Sequence, residues 1–314
     1  MDEALQIKEI DSELKVLVLG YTTLENIKKA VDIDISLVVY NTETLKKIVS
    51  LEANKPTKVH LKIETGLNRQ GVRKRQLIKL IQFIKKHKDK IHLEGVSTHF
   101  ADIEDTLDST FAMKQLEEFK KSISFIKNKG FKPALIHCAA SAGMLLYSKS
   151  HFSMVRTGIS LYGLWPSAET RISMLVRNKK ISLRPVGVWK SVVAQIKSID
   201  VGESVSYGRT WFAARKSKIA IVPVGYSDGF DRKLSNIGRV IINGAYADVV
   251  GRVAMNMIMV DVTDIKGVSL EDEVVLLGKF KGLEVSANEW AKKLATINYE
   301  VVSRISTSLP RIII

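Results

Sequence analysis

Short runs of β-branched and aliphatic residues alternate with amphipathic stretches over the first half of the chain. The runs are VLVLG (16–20), SLVVY (36–40), VHLKIET (59–65), GVSTHF (95–100), ALIHCA (134–139) and MVRTGIS (154–160), and each reads as a strand. Between them, TTLENIKKAV (22–31), TETLKKIVSL (42–51) and the segment carrying Leu77, Ile78, Ile81 and Ile84 repeat their apolar positions every three to four residues, as helices do. MKQLEEFKKSISFIKNKG (113–130) does the same, with Met113, Leu116, Phe119, Ile123 and Ile126 on one face and Gly130 as its stop. Ahead of the first run, Ala4, Ile7, Ile10 and Leu14 predict a further helix, with Asp2 and Glu3 where a helix N-terminus favours negative charge.

Strands alternating with helices of this length imply βαβ units and a parallel sheet. The six runs suit either an open doubly wound sheet or part of a (β/α)8 barrel. Chemically capable side chains stand at the C-terminal ends of separate runs: Lys62 and Glu64, His99, His137, and Arg156. A ring of strand ends is the habit of barrels, and no glycine-rich phosphate fingerprint supports the alternative. The expectation is an α/β chain whose barrel is incomplete at about six strands.

After PSAET (166–170) the texture changes to strands separated by turn signals, in VGVWKSVVAQIKSI, SKIAIVPVG, RVIINGAYADVVG, NMIMVDVTD and EDEVVLLG. This predicts a β domain over 171–314 following a barrel domain over 1–170. Late in it, VSANEWAKKLATI reads as a helix opened by a capping box of Ser286 and Glu289.

At 314 residues and 46% apolar content the chain can bury the cores of two domains. Cys138 is the single cysteine, which excludes a disulfide framework, and the absence of a long apolar run points to a cytoplasmic protein with no membrane partner. The net charge of +15 raises nucleic acid as a partner. The basic stretches GVRKRQ (71–76) and FIKKHKDK (83–90), however, flank an ordinary amphipathic helix, and no aromatic interleaving, zinc spacing or RNA-binding signature accompanies them. A lysine-rich solvated surface is the reading preferred, with no nucleic acid and no metal expected.

Several segments together resemble the bacterial alanine racemases: HLKIETGLNRQGV (60–72), VSTHFADIED (96–105), HCAASAG (137–143), MVRTGISLYG (154–163), VSYG (205–208), PVGYSDG (223–229), VGRVAMNMIMVDVTD (250–264) and INYEVVSRIS (297–306). The resemblance implies a (β/α)8 barrel with a C-terminal β domain, pyridoxal 5′-phosphate as cofactor, and interconversion of L- and D-alanine that supplies D-alanine for peptidoglycan. It also implies a homodimer whose active site is shared between subunits. Racemisation needs bases on both faces of the substrate carbon, and Tyr207 matches the family tyrosine that serves as one of them across the dimer.

Arg156 matches the arginine facing the pyridine nitrogen, and His137 the residue that holds it. Ser141, Gly158 and Ile159 match the phosphate cradle, and His99 the residue beside the cofactor ring. Arg69 matches the arginine that meets the cofactor's phenolic oxygen and the substrate carboxylate, for which its bidentate donors suit it. Met255 matches a residue that meets substrate from the other subunit, and Lys62 a lysine that some members carbamylate.

The family's cofactor lysine lies in a V-V-K-A-x-A-Y-G-H-G segment at the end of the first barrel strand, and no lysine of this sequence is followed by that pattern. The expectation is therefore a chain lacking the first two barrel strands and that lysine, and so not a competent racemase as written. Ala140, Asn256 and Thr307 depart from the usual residues, and Thr307 suggests a wider pocket that admits serine or lysine. An inactive racemase-like relic is the competing reading. The basic amino-acid decarboxylases share the architecture but fit VSYG, PVGYSDG and MNM less well.

Overall fold

The computed structural model describes residues 1–313 and divides into two units, one of Met1–Leu161 with Trp165–Leu183, the other of Tyr162–Leu164 with Arg184 onward. In the first unit, strands β1 (Leu17–Val18), β2 (Ser36–Val39), β3 (Thr57–Lys62), β4 (Ile91–Ser97) and β5 (Leu135–His137) form one parallel sheet in sequence order. Helices α1 (Asp2–Ile10), α2 (Ile27–Asp32), α3 (Thr42–Val49), α4 (Lys74–Lys86), α5 (Thr110–Asn128), α6 (Ser141–Leu146) and α7 (Ala168–Val176) complete it.

One sheet face is apolar. Val59 and Leu61 of β3 and Val96 of β4 join Leu45 and Ile48 of α3, Leu77, Leu80, Ile81 and Ile84 of α4, and Leu116, Phe119, Ile123 and Ile126 of α5 in a single buried cluster. Each such side chain contributes about 1.5–3 kcal/mol, which makes this layer the main source of the unit's stability. Leu80, rather than the expected Ile78, completes the buried stripe of α4. On α1 only Ala4 is buried, and Ile7 and Ile10 are exposed. Gly130 closes α5 as anticipated, at φ +90° and with its N–H on the Lys127 carbonyl at 2.9 Å.

The sheet has five strands, not six. The run MVRTGIS (154–160) is irregular and enters a 3-10 turn at Ile159–Tyr162. Its backbone donors explain why: Gly158 N–H and Ser160 N–H both turn to Ser141 Oγ, at 3.0 and 3.3 Å, instead of to a neighbouring strand. The division between units falls later than the change of sequence texture near residue 170, because α7 inserts Met174 into the first unit's core.

The second unit is antiparallel. β9 (Arg239–Ile242) and β10 (Ala245–Asp248) pair beside β12 (Glu273–Phe280) and β13 (Leu283–Val285), with β6 (Trp189–Val192) on β12. A second sheet runs β11 (Ile258–Asp261), β8 (Ser217–Val222), β7 (Gln195–Ile199). Asn243 and Gly244 turn between β9 and β10 at φ +53° and +81°, the conformation a two-residue hairpin requires. Ser286 caps α8 (Ala287–Leu294) by accepting the Glu289 N–H at 3.1 Å, while the Glu289 carboxylate pairs with Arg239 and Lys293. α9 (Asn298–Ser303) follows, and Trp290 packs edge-on to Phe230 with ring centroids 4.7 Å apart.

Candidate active site

The opposite face of the parallel sheet is polar, and its register explains which residues meet. His60 lies opposite Gly95, Lys62 opposite Ser97, and Ser97 opposite His137, so these positions share the face turned away from the apolar layer. Between Val59 and His60 the pairing with β4 slips, since Val59 faces Leu93 whereas His60 faces Gly95. The slip re-aims Glu94 towards His60. Gly95 is required there, because a Cβ at that position would collide with the His60 ring.

Arg156 is the centre of the site. Its guanidinium Nη1 donates to His137 Nδ1 at 2.5 Å, and Nη2 donates to Thr98 O at 2.9 Å and to His99 Nδ1 and Cys138 O, each at 3.1 Å. Burial, then the charge of Arg156, pushes His137 down to about 2 and His99 down to about 4, with Lys62 adding to both. Both rings are neutral at pH 7 and accept hydrogen bonds from the cation. Burial, with the charges of Arg156 and Arg69, also lowers the Lys62 ammonium to about 8. The Cys138 thiol is driven up to about 12 by burial and bonds to Ser150 O at 3.1 Å, so it is an inert core group.

Arg69 rides on the loop after β3. Glu64 N–H to Val72 O at 3.0 Å and Val72 N–H to Lys62 O at 2.9 Å staple the loop shut. Gly71, at φ +132°, allows the return, since a Cβ there would lie 2.7 Å from Glu64 N. The Arg69 side chain is exposed, and its charge still reaches Lys62 and His99. On the other side of the site, Ser141 Oγ gathers the N–H groups of Gly158 and Ser160, with Ile159 between them, and Ser160 Oγ is buried without a partner among the described residues. The first unit thus brings Lys62, His99, His137 and Arg156 together by contact or charge, and builds a separate cradle from Ser141, Gly158 and Ile159.

Tyr207 and Met255 belong to the second unit, where they stand 71% and 61% exposed. Ser206 Oγ donates to Arg252 O at 2.6 Å, and Gly251 lies so close that a Cβ there would collide with Val205 O, which fastens VSYG to VGRV. Ser227 N–H and Oγ donate to Met255 O at 2.9 and 2.7 Å, fastening PVGYSDG to AMNM. Ser306 N–H bonds to Asp228 O at 2.9 Å, which draws in the INYEVVSRIS segment. A cavity of about 370 Å³ in this unit, lined by Trp211, Asn236, Tyr246, Asp248, Asp261 and Asp264 among others, holds none of the residues singled out from sequence.

Sequence reasoning missed His60, Glu94 and the cradle's Ser160. Strand alternation in VHLKIET already puts His60 on the face of Lys62, a usable signal. Glu94 gave none, because its direction depends on the slip in register. Among the described residues no cluster suits a metal ion, and no helix is long and apolar enough to cross a membrane.

Two family models account for most of the chain: alanine racemase, N-terminal domain, over residues 1–166, and alanine racemase, C-terminal domain, over residues 186–313. The alanine racemase of Leptospira interrogans serovar copenhageni is 39% identical over 316 residues, spanning 100% of this chain and 80% of its own length. That of Methanococcus maripaludis is 37% identical over 313 residues, spanning 99% and 82%. The crystal structure of alanine racemase from Bacillus anthracis with bound L-Ala-P matches at a TM-score of 0.89 and 32% identity, covering 98% of this chain and 77% of that one. With both domains matched and identity sustained over the whole length, this chain belongs to the alanine racemase family of isomerases.

Proposed function

We propose that this protein is a pyridoxal 5′-phosphate-dependent racemase that interconverts L- and D-alanine, supplying D-alanine for peptidoglycan in the cytoplasm. The observation that carries the reading is Arg156, a largely but not fully buried guanidinium whose acceptors are two neutral imidazoles and two backbone carbonyls. The residues present suit the cofactor. A fixed cation fits an unprotonated pyridine nitrogen, and the buried, unpartnered Ser160 Oγ beside Ser141 and Gly158 offers polar groups to a phosphate. Bound there, pyridoxal phosphate supplies an electron sink for the carbanion formed at the substrate carbon.

Arg156 would face the pyridine nitrogen of the cofactor, and a guanidinium that keeps its proton would leave that nitrogen unprotonated, which would limit the sink and disfavour transamination. His137 and His99, being neutral, orient the guanidinium without competing for its charge. Arg69 takes the substrate carboxylate. Tyr207, exposed on its own subunit, acts as a base in the active site of the other protomer of a homodimer, and Met255 approaches substrate from the same side. Lys62, lowered to about 8 between two arginines, has the amine fraction that addition of carbon dioxide needs, and a carbamate there would orient Arg69. No lysine of these 314 residues matches the family's cofactor lysine, so the reading assigns this chain the cofactor's non-covalent contacts and the tyrosine base.

The test is conversion of L- to D-alanine by the protein as the cell makes it, with and without added pyridoxal phosphate. Saturable dependence on the cofactor, abolished by Arg156→Ala, is the expected result. A protein that neither binds pyridoxal phosphate nor forms D-alanine ends the reading.

A further inference from the structure

The polar face of the parallel sheet carries a line of hydrogen bonds that runs beyond the Arg156–His137 contact. His137 Nε2 meets His60 Nδ1 at 2.8 Å, His60 Nε2 meets Glu94 Oε2 at 3.1 Å, and Ser36 Oγ donates to the same carboxylate oxygen at 2.6 Å. His60 and His137 are fully buried.

The two ends allow one arrangement of protons. Arg156 can only donate, so His137 Nδ1 must accept and its proton sits on Nε2. That N–H donates to His60 Nδ1, whose ring therefore carries its proton on Nε2 and donates it to Glu94. Read from the other end, an ionised Glu94 can only accept, and the same tautomers follow. Burial lowers both imidazoles, so neither ring takes a second proton at neutral pH. Burial of Glu94 works against its charge, but hydrogen bonds from Ser36 and His60 outweigh it and hold the carboxyl below its ordinary range.

Among the described residues no carboxylate lies within ion-pair distance of Arg156. A largely desolvated cation without a counter-charge is costly, and chains of hydrogen bonds polarise one another in a low dielectric. We infer that Glu94 is the counter-charge of Arg156, acting at a distance through His60 and His137, and that these three are positioning residues that hold the guanidinium fixed and charged. The consequence for catalysis rests on the racemase reading; the relay itself does not.

The experiment is long-range 1H–15N correlation on the full-length protein labelled at histidine and arginine, at neutral pH. Both His60 and His137 are expected as neutral Nε2–H tautomers. A proton on Nδ1 of either ring, or a doubly protonated ring, overturns the inference. In Glu94→Gln, which keeps an acceptor but removes the charge, the His137 Nε2–H and Arg156 guanidinium signals are expected to shift although neither residue touches position 94. Unmoved signals overturn the inference. Should that variant fold poorly, Ser36→Ala retains the carboxylate and is expected to shift the same signals by less, and no shift counts against the relay. Pyridoxal phosphate titrated into the same samples is expected to bind several-fold more weakly to Glu94→Gln. Correct tautomers and moving signals in a protein that binds no cofactor would uphold the relay and defeat the racemase reading.

Discussion

In the first unit Lys62, His99 and His137 lie at or just beyond the ends of parallel strands and are substantially buried, with Arg156 against them from an irregular segment and only Arg69 exposed on a loop, whereas in the second Tyr207 and Met255 stand 71% and 61% exposed. Burial gives the first group its chemistry: it lowers His99 and His137 until both are neutral and brings Lys62 down to about 8, and the guanidinium of Arg156 adds to each shift. The second group takes its position from backbone hydrogen bonds such as Ser227 to Met255 and leaves the side chains to solvent. A substitution in the first group should disturb folding and function together, and one in the second should disturb function alone.

Arg156→Ala is the severest test of that contrast. It strips His137, His99, Thr98 and Cys138 of their donor, and orphaned buried acceptors cost about 1–3 kcal/mol each before relaxation. A loss of about 3 kcal/mol in urea unfolding is expected, with racemisation by the protein as the cell makes it falling on the order of 10²-fold or more. Tyr207→Phe should lower racemisation by a similar ~10²-fold while leaving unfolding within about 0.5 kcal/mol of the parent. Matching losses in stability and activity for Tyr207→Phe would break the contrast.

Gly95→Ala should destabilise by about 2 kcal/mol, since the new methyl collides with the His60 ring and the sheet must give way. Its readout is the unfolding midpoint together with displaced His60 resonances. Acid sharpens the contrast further. His99 and His137 have folded values below the 6.5 of the unfolded chain, so the unfolded state takes up protons first as the pH falls. Stability is intact above about pH 6.5 and declines below it, by at most about 1.4 kcal/mol per pH unit for each group, until His99 itself protonates near 4. Protection factors, corrected for the slower intrinsic exchange at pH 5, should therefore fall in β3, β4 and β5 more than in β8 and β9; an equal fall would remove the distinction. Smallest is Ser286→Ala, which deletes the cap on Glu289 N–H and should cost about 1 kcal/mol, seen as faster exchange at the start of α8 with activity unchanged.

Much of the architecture was legible because it rests on local periodicity. The alternation in VHLKIET places His60 and Lys62 on one face and Val59 and Leu61 on the other, and the helical spacing of Leu116, Phe119, Ile123 and Ile126 names the buried stripe of α5. MVRTGIS misled for the same reason: its composition is that of a strand, but its N–H groups found Ser141 Oγ, a partner distant in sequence. Resemblance between motifs, rather than composition, marked Arg156 and His137 as a pair, and their 2.5 Å contact is observed.

The sequence by itself determined which residues could be buried together and the family to which they belong, because both are written in local patterns and short motifs. Only the tertiary structure decided that Glu94 turns towards His60 and that Arg156 is held by neutral imidazoles. Those outcomes depend on a one-residue slip between β3 and β4 and on burial by distant segments, and neither leaves a mark in the order of residues along a single strand.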